Sequence, residues 1–316
     1  MGESVIAPER WDMVRAGLSA NARAIIAHIG RTPLIPLPSP NPAIQILGKA
    51  EWFNPSGSVK DRPAWWIVKA GLVAGHLPRL ELLDASSGNT GIAYAMLGAV
   101  IGFKVTLCMS ANVSPERRRM LEAYGARVVE TDPLEGSDGA IRRARELAAA
   151  EPMRFWYADQ YGNPANPEAH YATTAMEIWD QTNGRLTHFV AGLGTTGTLV
   201  GTSRKLRSLK PDIRIVGVEP AHALHGIEGL KHLATELRPA IWDESMVDER
   251  HGVSTEEAQD AAKRLAREAG LCAGVSSGAA YAACRHLATQ VERGTLVTVL
   301  PDGGTRYLSE GWWTEP

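Results

Sequence analysis

Short apolar runs that suit buried strands alternate along the chain with longer segments that have helical spacing. The strand-like runs are rich in Val, Ile and Leu and cover 44–50, 80–84, 103–109, 127–131, 155–158, 188–191, 213–218 and 296–300. The helix-like segments cover 63–74, 90–101, 114–124, 137–150, 173–181, 198–209, 256–269 and 277–290. Strands that alternate with helices predict an α/β fold of mostly parallel sheets with helices on both faces.

A patch rich in Gly, Asn and Pro, YGNPANP at residues 161–167, interrupts this alternation. Such residues break helices and strands, so the patch is the best place for the chain to cross between two lobes. A chain of 316 residues is long enough to form two lobes and is longer than most single-core domains. Ligands of parallel sheets bind at the carboxyl ends of the strands, so we expect the chemistry in the loops there.

The composition is that of an ordinary soluble globular protein, with 44% hydrophobic residues, 22% charged residues and a formal net charge of −2. This charge gives no electrostatic reason to expect nucleic acid or an anionic membrane as a partner.

The longest apolar stretch, 92–103, is too short to span a bilayer, and the N-terminus lacks the pattern of a secretory signal. Three scattered cysteines indicate a reducing compartment, so we expect a cytoplasmic protein. The nine histidines show no spacing typical of a metal site.

The loop NPSGSVKDR, residues 54–62, places Lys60 at the predicted start of a helix. The positive end of the helix dipole disfavours a charged ammonium there and favours the neutral amine. A neutral, desolvated lysine amine is what Schiff-base chemistry requires. A solvated surface lysine is the commoner explanation for any single lysine, and this loop alone does not exclude it.

The loop SSGNTG, residues 86–91, follows a strand and opens the next helix. Its hydroxyls, its amide and its backbone N–H groups suit an anion, and a carboxylate fits. Helix capping by Ser87 or Asn89 is the alternative, although capping needs only one such residue.

The loop GLGTTG, residues 192–197, has the glycine spacing of a dinucleotide-binding motif between a strand and a helix. Glu219, at the end of the following strand, lies where an acid that binds a ribose would be. Three threonines, Thr195, Thr196 and Thr198, suit instead a single phosphate at the helix N-terminus. This stretch alone favours NAD and a cofactor with one phosphate about equally.

A fourth loop, GVSSGAA at residues 274–280, precedes another helix. Ser276 or Ser277 suits either a helix cap or a contact with a ligand nitrogen. Together, the loops and Lys60 require a ligand with a phosphate, an aldehyde and a ring nitrogen, next to a bound amino acid. Pyridoxal phosphate meets these requirements, whereas NAD uses only one of the four loops.

These motifs resemble those of the fold-type II pyridoxal-phosphate enzymes, and in particular those of the cysteine synthases. The resemblance extends from about Ile29 to Gly311 and rests on NPSGSVKDRPA, SSGNTGIA, SPERRRMLEAYGA, QYGNPANPEAHYATT, THFVAGLGTTGT, GVSSGAA and RYLS. The stretch from His170 to Thr198, which has two threonines in place of Gly-Gly, is most similar to the B-type enzymes.

The resemblance implies a fold like that of the tryptophan synthase β chain. Two open, twisted, mostly parallel sheets flanked by helices would form two lobes, with the cofactor in the cleft between them. A smaller mobile lobe, residues 50–160, would bind the substrate carboxylate. A larger lobe, residues 1–49 plus 161–316, would bind the cofactor phosphate. The resemblance also implies a homodimer.

Roles in binding the cofactor carry over to individual residues. Lys60 would form the Schiff base with pyridoxal phosphate and act as general base, Asn89 would hydrogen-bond the ring oxygen, and Ser276 would bond the pyridine nitrogen. A serine at that position leaves the ring largely unprotonated, and the weaker electron sink suits β-elimination. The phosphate would be held by Gly194, Thr195, Thr196, Gly197 and Thr198.

A second group of residues would bind the substrate. The positions that grip the substrate carboxylate are matched by Ser86, Ser87, Thr90 and Gln160. Ser86 stands where the family usually has Thr, which keeps the hydroxyl and removes a methyl group. Lys231 and His232 stand where B-type enzymes have a pair of arginines.

The implied reaction is a ping-pong β-replacement, in which sulfide adds to an α-aminoacrylate intermediate and L-cysteine is released. O-Acetyl-L-serine is the favoured donor over O-phosphoserine, because a phosphate-selective site would more naturally hold an arginine. Thiosulfate is an alternative nucleophile for B-type enzymes.

Other functions stay open at this point. Serine dehydration, cystathionine formation and diaminopropionate synthesis use the same scaffold. A paralogue that only binds a partner is less favoured, because Lys60, Asn89 and Ser276 are all present. An NAD-dependent oxidoreductase is the least favoured.

Overall fold

The computed structural model describes residues 8–86 and 88–314, and strands alternate with helices along most of that length. The strands are β1 Leu34–Leu37, β2 Ile44–Ala50, β3 Glu81–Ala85, β4 Val105–Ser110, β5 Arg127–Thr131, β6 Phe155–Tyr157, β7 His188–Gly192, β8 Arg214–Pro220, β9 Glu249–Val253 and β10 Gly294–Leu300. The helices are α1 Pro8–Gly17, α2 Ala20–Ala27, α3 Asp61–Val73, α4 Asn89–Ile101, α5 Pro115–Ala123, α6 Gly136–Ala150, α7 Ala165–Ala169, α8 Ala175–Thr182, α9 Gly197–Leu209, α10 Thr255–Ala269 and α11 Val275–Gln290.

Two compact units divide the described chain. The first contains the residues up to Ile29 and Lys60–Asn166, and the second contains Gly30–Val59 and the residues from Pro167 onwards. The passage from Asn166 to Pro167 lies in the segment YGNPANP, where the sequence predicts a crossing between lobes. The first unit overlaps the predicted smaller lobe, residues 50–160, and also contains α1 and α2.

The first unit is built on a parallel four-stranded sheet in the order β5-β4-β3-β6. Successive side chains of a strand point to opposite faces, and this alternation is clear on β4. Val105, Leu107 and Met109 join an apolar cluster with residues of α3 and α4, whereas Cys108 joins a cluster with residues of α6. Because helices cover both faces of the sheet with apolar side chains, polar side chains that could bind a ligand lie at the ends of the strands.

The second unit is built on a six-stranded sheet in the order β1-β2-β10-β7-β8-β9, in which β1 is antiparallel and the other strands are parallel. On β10, Leu296 and Leu300 pack with α10 and α11, whereas Val297 and Val299 pack with α8 and α9. Each such buried side chain stabilises the fold by about 1.5–3 kcal/mol. The carboxyl end of β7 leads directly into the loop GLGTTG.

The predicted α/β class with mostly parallel sheets is confirmed. All the predicted strands and helices occur, with ends that differ by at most two residues. The prediction of a helix from residue 173 is wrong at its start, because His170–Thr174 forms a π-helical turn before α8. The strands β1 and β9 and the helices α1, α2 and α7 are not among the predicted elements. No helix among the described residues is long and apolar enough to cross a membrane.

Candidate functional site

Lys60 is the residue directly before α3, and its carbonyl accepts a hydrogen bond from the Ala64 N–H at 3.0 Å. The preceding segment turns at Gly57, where φ is +84°, a value that favours glycine. The Val59 N–H then donates to the Pro301 carbonyl at 2.8 Å. These contacts set the direction in which the chain reaches Lys60, which lies at the positive end of a helix as the sequence predicts.

Ser86 follows β3 and folds the loop SSGNTG onto the start of α4. Its hydroxyl oxygen accepts hydrogen bonds from the Gly91 N–H at 2.8 Å and from the Gly88 N–H at 3.4 Å. Because these bonds use only the oxygen, the hydroxyl hydrogen can donate to a substrate oxygen. Asn89 is the first residue of α4, and Ser87 lies outside the described residues.

Thr90 and Gln160 are buried together beside this loop. The Thr90 hydroxyl lies 2.7 Å from Gln160 Oε1, and Gln160 Nε2 lies 2.6 Å from the Ala85 carbonyl oxygen. Because a carbonyl can only accept, the amide nitrogen must face Ala85 and the amide oxygen must face Thr90. Thr90 therefore donates to Gln160, and the second Nε2 hydrogen of Gln160 is the one suited to a carboxylate.

The loop GLGTTG joins β7 to α9 through a strained residue. Thr196 has φ of +69°, and its buried hydroxyl has no hydrogen-bond partner among the described residues. A Cβ at Gly194 would lie 2.2 Å from the Gly229 carbonyl oxygen, so only glycine fits there. A phosphate at the N-terminus of α9 would accept from the Thr196 hydroxyl and from the first backbone N–H groups of the helix. The loop therefore fits a phosphate group.

Thr198, in the first turn of α9, is oriented by the buried His170, to which the sequence prediction assigns no role in the site. Its hydroxyl lies 3.2 Å from His170 Nε2, and His170 Nδ1 lies 2.9 Å from the Thr174 hydroxyl. Both His170 and Thr174 belong to the π-helical turn. Such turns are frequent at functional sites, and this one directs His170 towards the start of α9.

Ser276 is the second residue of α11 and is buried. The helix begins after Gly274 and has no side-chain cap, so neither Ser276 nor Ser277 caps it. The Ser277 hydroxyl donates instead to the Asp302 carbonyl at 3.4 Å. Helix capping therefore does not explain why serines occupy positions 276 and 277.

Lys231 and His232 lie in a segment that packs beside the loop GLGTTG, because the Lys231 N–H donates to the Leu193 carbonyl at 2.8 Å. The Lys231 ammonium lies 2.9 Å from Glu236 Oε2, and the His232 N–H donates to Glu236 Oε1 at 2.8 Å. Burial would raise the pKa of Glu236, but hydrogen bonds from His225 and Lys231 outweigh it and lower the pKa to about 2. Glu236 is thus charged at neutral pH and balances the charge of Lys231.

Glu219, the acid suggested for a ribose, has protein partners. Its Oε1 lies 3.6 Å from a guanidinium nitrogen of Arg250, and its Oε2 accepts from the Leu233 N–H at 3.4 Å. These contacts account for Glu219 without a dinucleotide.

The sequence prediction assigns no role to several residues that support the site. Glu236 lies four residues after His232 and five after Lys231, and His170 stands in the motif QYGNPANPEAHYATT. Arg306 binds the Ser56 carbonyl beside Gly57. Arg306 belongs to the motif RYLS, which supports the family resemblance but has no predicted contact. No group of three or more potential metal ligands occurs in the part of the chain that the structure describes.

The chain is similar to known proteins over most of its length. The profile of the pyridoxal-phosphate dependent enzyme family matches residues 25–302. The chain is 48% identical to a cysteine synthase of Aquifex aeolicus (strain VF5), over 92% of both proteins. It is 42% identical to cysteine synthase B of Pseudomonas aeruginosa, over 90% of this chain and 95% of that protein. The structure of O-acetyl serine sulfhydrylase isoform 3 from Entamoeba histolytica is similar, with a TM-score of 0.86, 35% identity and coverage of 100% of this chain and 96% of that one.

Proposed function

The chain belongs to the family of pyridoxal-phosphate dependent enzymes, and we propose that it acts as a cysteine synthase that converts O-acetyl-L-serine and sulfide into L-cysteine and acetate. The loop GLGTTG carries this proposal, because its buried Thr196 hydroxyl and its tightly packed Gly194 fit the phosphate of the cofactor. The similarity to cysteine synthases over nine-tenths of the chain supports the reaction.

When bound, pyridoxal phosphate supplies an electron sink that stabilises negative charge at the α-carbon of the substrate. Gly194–Thr198 would hold its phosphate through backbone N–H groups and threonine hydroxyls. Asn89 would bind the ring oxygen, and the neutral hydroxyl of Ser276 would bind the ring nitrogen without protonating it.

Lys60 would hold the cofactor through its Nζ in the resting enzyme and would be released when the amino-acid substrate takes its place. The released amine lies at a helix N-terminus, where the dipole favours the neutral form. A neutral Nζ can remove the α-proton of the substrate and later return it to the product.

The substrate carboxylate would bind to the loop that follows β3. The Ser86 hydroxyl and the second Nε2 hydrogen of Gln160 are its donors, and Thr90 holds the Gln160 amide in the required orientation. Ser87 would complete this group.

O-Acetyl-L-serine is the donor that the charge around Lys231 supports. Lys231 is the cation that stands where B-type enzymes have an arginine, in the part of the site predicted to face the donor substrate. Glu236 already balances the charge of Lys231. A doubly charged phosphate leaving group would need an unbalanced cation or a planar arginine, whereas a neutral acetyl group needs neither.

Steady-state kinetics with sulfide and each donor tests this choice. We expect a higher kcat/KM for O-acetyl-L-serine than for O-phosphoserine. A markedly higher value for O-phosphoserine would contradict the proposed donor, and thiosulfate in place of sulfide tests the nucleophile in the same assay.

We further propose that the enzyme is a cytoplasmic homodimer whose only ligands are small molecules. Buried free thiols at Cys108 and Cys284 suit a reducing compartment. Light scattering on the purified protein measures the oligomeric state, and a monomer would contradict the dimer.

A further inference from the structure

A buried carboxyl group, Asp84 on β3, lies next to the loop SSGNTG and has no role in the function proposed above. Its side chain is inaccessible to solvent. Oδ1 accepts a hydrogen bond from the Ala85 N–H at 2.8 Å, and Oδ2 accepts one from the Gln160 N–H at 3.1 Å. One carboxylate therefore connects the end of β3 to the residue that holds the substrate carboxylate.

The position of Gln160 depends on this end of the sheet. Asp84 binds its N–H, Asn166 Nδ2 donates to its carbonyl at 2.7 Å, and the Ala85 carbonyl accepts from its Nε2 at 2.6 Å. Asp84 also accepts from the N–H of Ala85, so it contacts both Gln160 and the residue whose carbonyl fixes the direction of the Gln160 amide. The orientation of the Thr90 hydroxyl depends on the Gln160 amide, because this hydroxyl donates to Gln160 Oε1.

We propose that Asp84 is a positioning residue that aims the Gln160 amide at the carboxylate of the amino-acid substrate. This inference rests on the proposed function, in which Gln160 binds that carboxylate. Only the ionised side chain offers a charged accepting oxygen to each of the two N–H groups. Protonation turns one oxygen into a hydroxyl, which accepts more weakly and brings a hydrogen that needs a partner of its own.

The ionisation of Asp84 falls within the range of an ordinary assay. Burial raises its pKa to about 7, although the hydrogen bonds from Ala85 and Gln160 oppose the rise. The titratable groups that act on it, or on which it acts, are Tyr94 of α4, Cys108 of β4, Tyr157 of β6 and Asp159 after β6. Asp159 raises the pKa of Asp84 further, and Tyr94 lowers it. As the pH falls below about 7, Asp84 gains a proton and Gln160 loses part of its alignment.

The test is Asp84→Asn in the holoenzyme, since asparagine keeps the shape and offers one accepting oxygen instead of two. We expect the KM for O-acetyl-L-serine at about pH 8 to rise about tenfold or more, as for the loss of a hydrogen bond to a charged group. The KM for sulfide and the visible absorption of the bound cofactor should not change. The wild-type KM for O-acetyl-L-serine should rise between about pH 8 and pH 6, and the variant should lack this component.

Two further variants separate positioning from a general loss of structure. Tyr157→Phe alters a neighbour of Asp84 that makes no hydrogen bond to Asp84 or Gln160 among the described contacts, and it should retain the wild-type KM. In a Gln160→Ala background, Asp84→Asn should add no further increase in the KM, because its effect passes through the Gln160 side chain.

Gln160→Ala provides the same test if Asp84→Asn fails to fold. The rise of the wild-type KM for O-acetyl-L-serine between about pH 8 and pH 6 should be absent from Gln160→Ala, because protonation of Asp84 acts through the Gln160 side chain. An unchanged KM in Asp84→Asn, an additive effect of Asp84→Asn in the Gln160→Ala background, or an unreduced rise in Gln160→Ala would overturn the inference. A wild-type enzyme without turnover would contradict the proposed function instead.

Discussion

Thr196 combines two features that are unfavourable in a protein without a ligand. Its backbone has a left-handed φ of +69°, which a β-branched residue rarely adopts, and its buried hydroxyl has no partner among the described residues. A buried hydroxyl without a partner costs about 1–3 kcal/mol. A phosphate oxygen that accepts from this hydroxyl removes that cost, so strain at one residue is explained by cofactor binding.

Thr196→Val should separate cofactor binding from stability. Valine has the same branching and lacks the hydroxyl, so we expect the affinity for pyridoxal phosphate to fall about 10–100-fold, as for the loss of a hydrogen bond to a charged group. The free energy of unfolding of the apoprotein should stay the same or rise. A spectroscopic titration with the cofactor and urea unfolding of the apoprotein measure the two effects. Thr196→Ser, which keeps the hydroxyl, is the control, and equal affinity in all three proteins would contradict this role.

The position of a candidate site residue in the fold could be predicted where one motif contains the whole reason for it. Lys60 at a helix start, Ser86 before a helix and the threonines of GLGTTG between β7 and α9 are examples, and their roles in binding stay predictions. The contact of His170 with Thr198 could not be predicted, because it depends on how two segments 28 residues apart fold together. Glu236 lies five residues after Lys231, but the two lie in no helix or strand, so their spacing does not predict the contact. Asp84 could not be predicted either, because its contact with Gln160 joins two segments that are distant in sequence. In the sequence, Asp84 is a single acid in an apolar strand.

At the scale of elements, the sequence predicts best those strands and helices that bury a regular apolar pattern. The strand β10 is one of these, because its side chains alternate between two apolar clusters. The edge strands lack such a pattern: β1 contains Pro36, which suits an edge, and β9 has the polar sequence ERHGV. Both form by pairing with β2 or β8, and this pairing is not visible in a local window of sequence.

Close packing of α10 and α11 should be required to place Ser276. A Cβ at Gly278 of α11 would lie 2.0 Å from the Ala258 carbonyl oxygen of α10, so Gly278→Ala must move one helix. We expect the free energy of unfolding to fall by about 1–3 kcal/mol and the cofactor to bind more weakly. Chemical unfolding and cofactor titration check both effects.

Ser254→Ala is the control for that experiment. It removes the capping box at the start of α10 and should cost about 1 kcal/mol of stability. Cofactor affinity should not change, because the helix axes stay in place. Weaker cofactor binding in both variants would show that affinity follows stability alone and would contradict the role of the helix contact.

At the scale of the whole molecule, Glu236 should make stability depend on pH. Its pKa is lowered from 4.5 to about 2 in the folded protein. A carboxyl with a lowered pKa stabilises the fold above its unfolded value, and this contribution is lost as the pH falls towards the folded value. Glu236→Gln should therefore be less stable than the wild type at neutral pH, and the difference should shrink from about pH 4.5 towards pH 2. Urea unfolding over this range measures it, and a constant difference would contradict the ion pair with Lys231.

The proposed function requires that Lys60, with pyridoxal phosphate, turns O-acetyl-L-serine and sulfide into L-cysteine and acetate. The most direct measurement compares the rate of L-cysteine formation by the wild type and by Lys60→Ala, each supplied with the cofactor. The wild type should turn over at about 10 s⁻¹ or faster, as an ordinary enzyme does. Loss of the general base should lower that rate by about a thousandfold or more. A wild type that forms no L-cysteine, or a Lys60→Ala variant that forms it at the wild-type rate, would contradict the account.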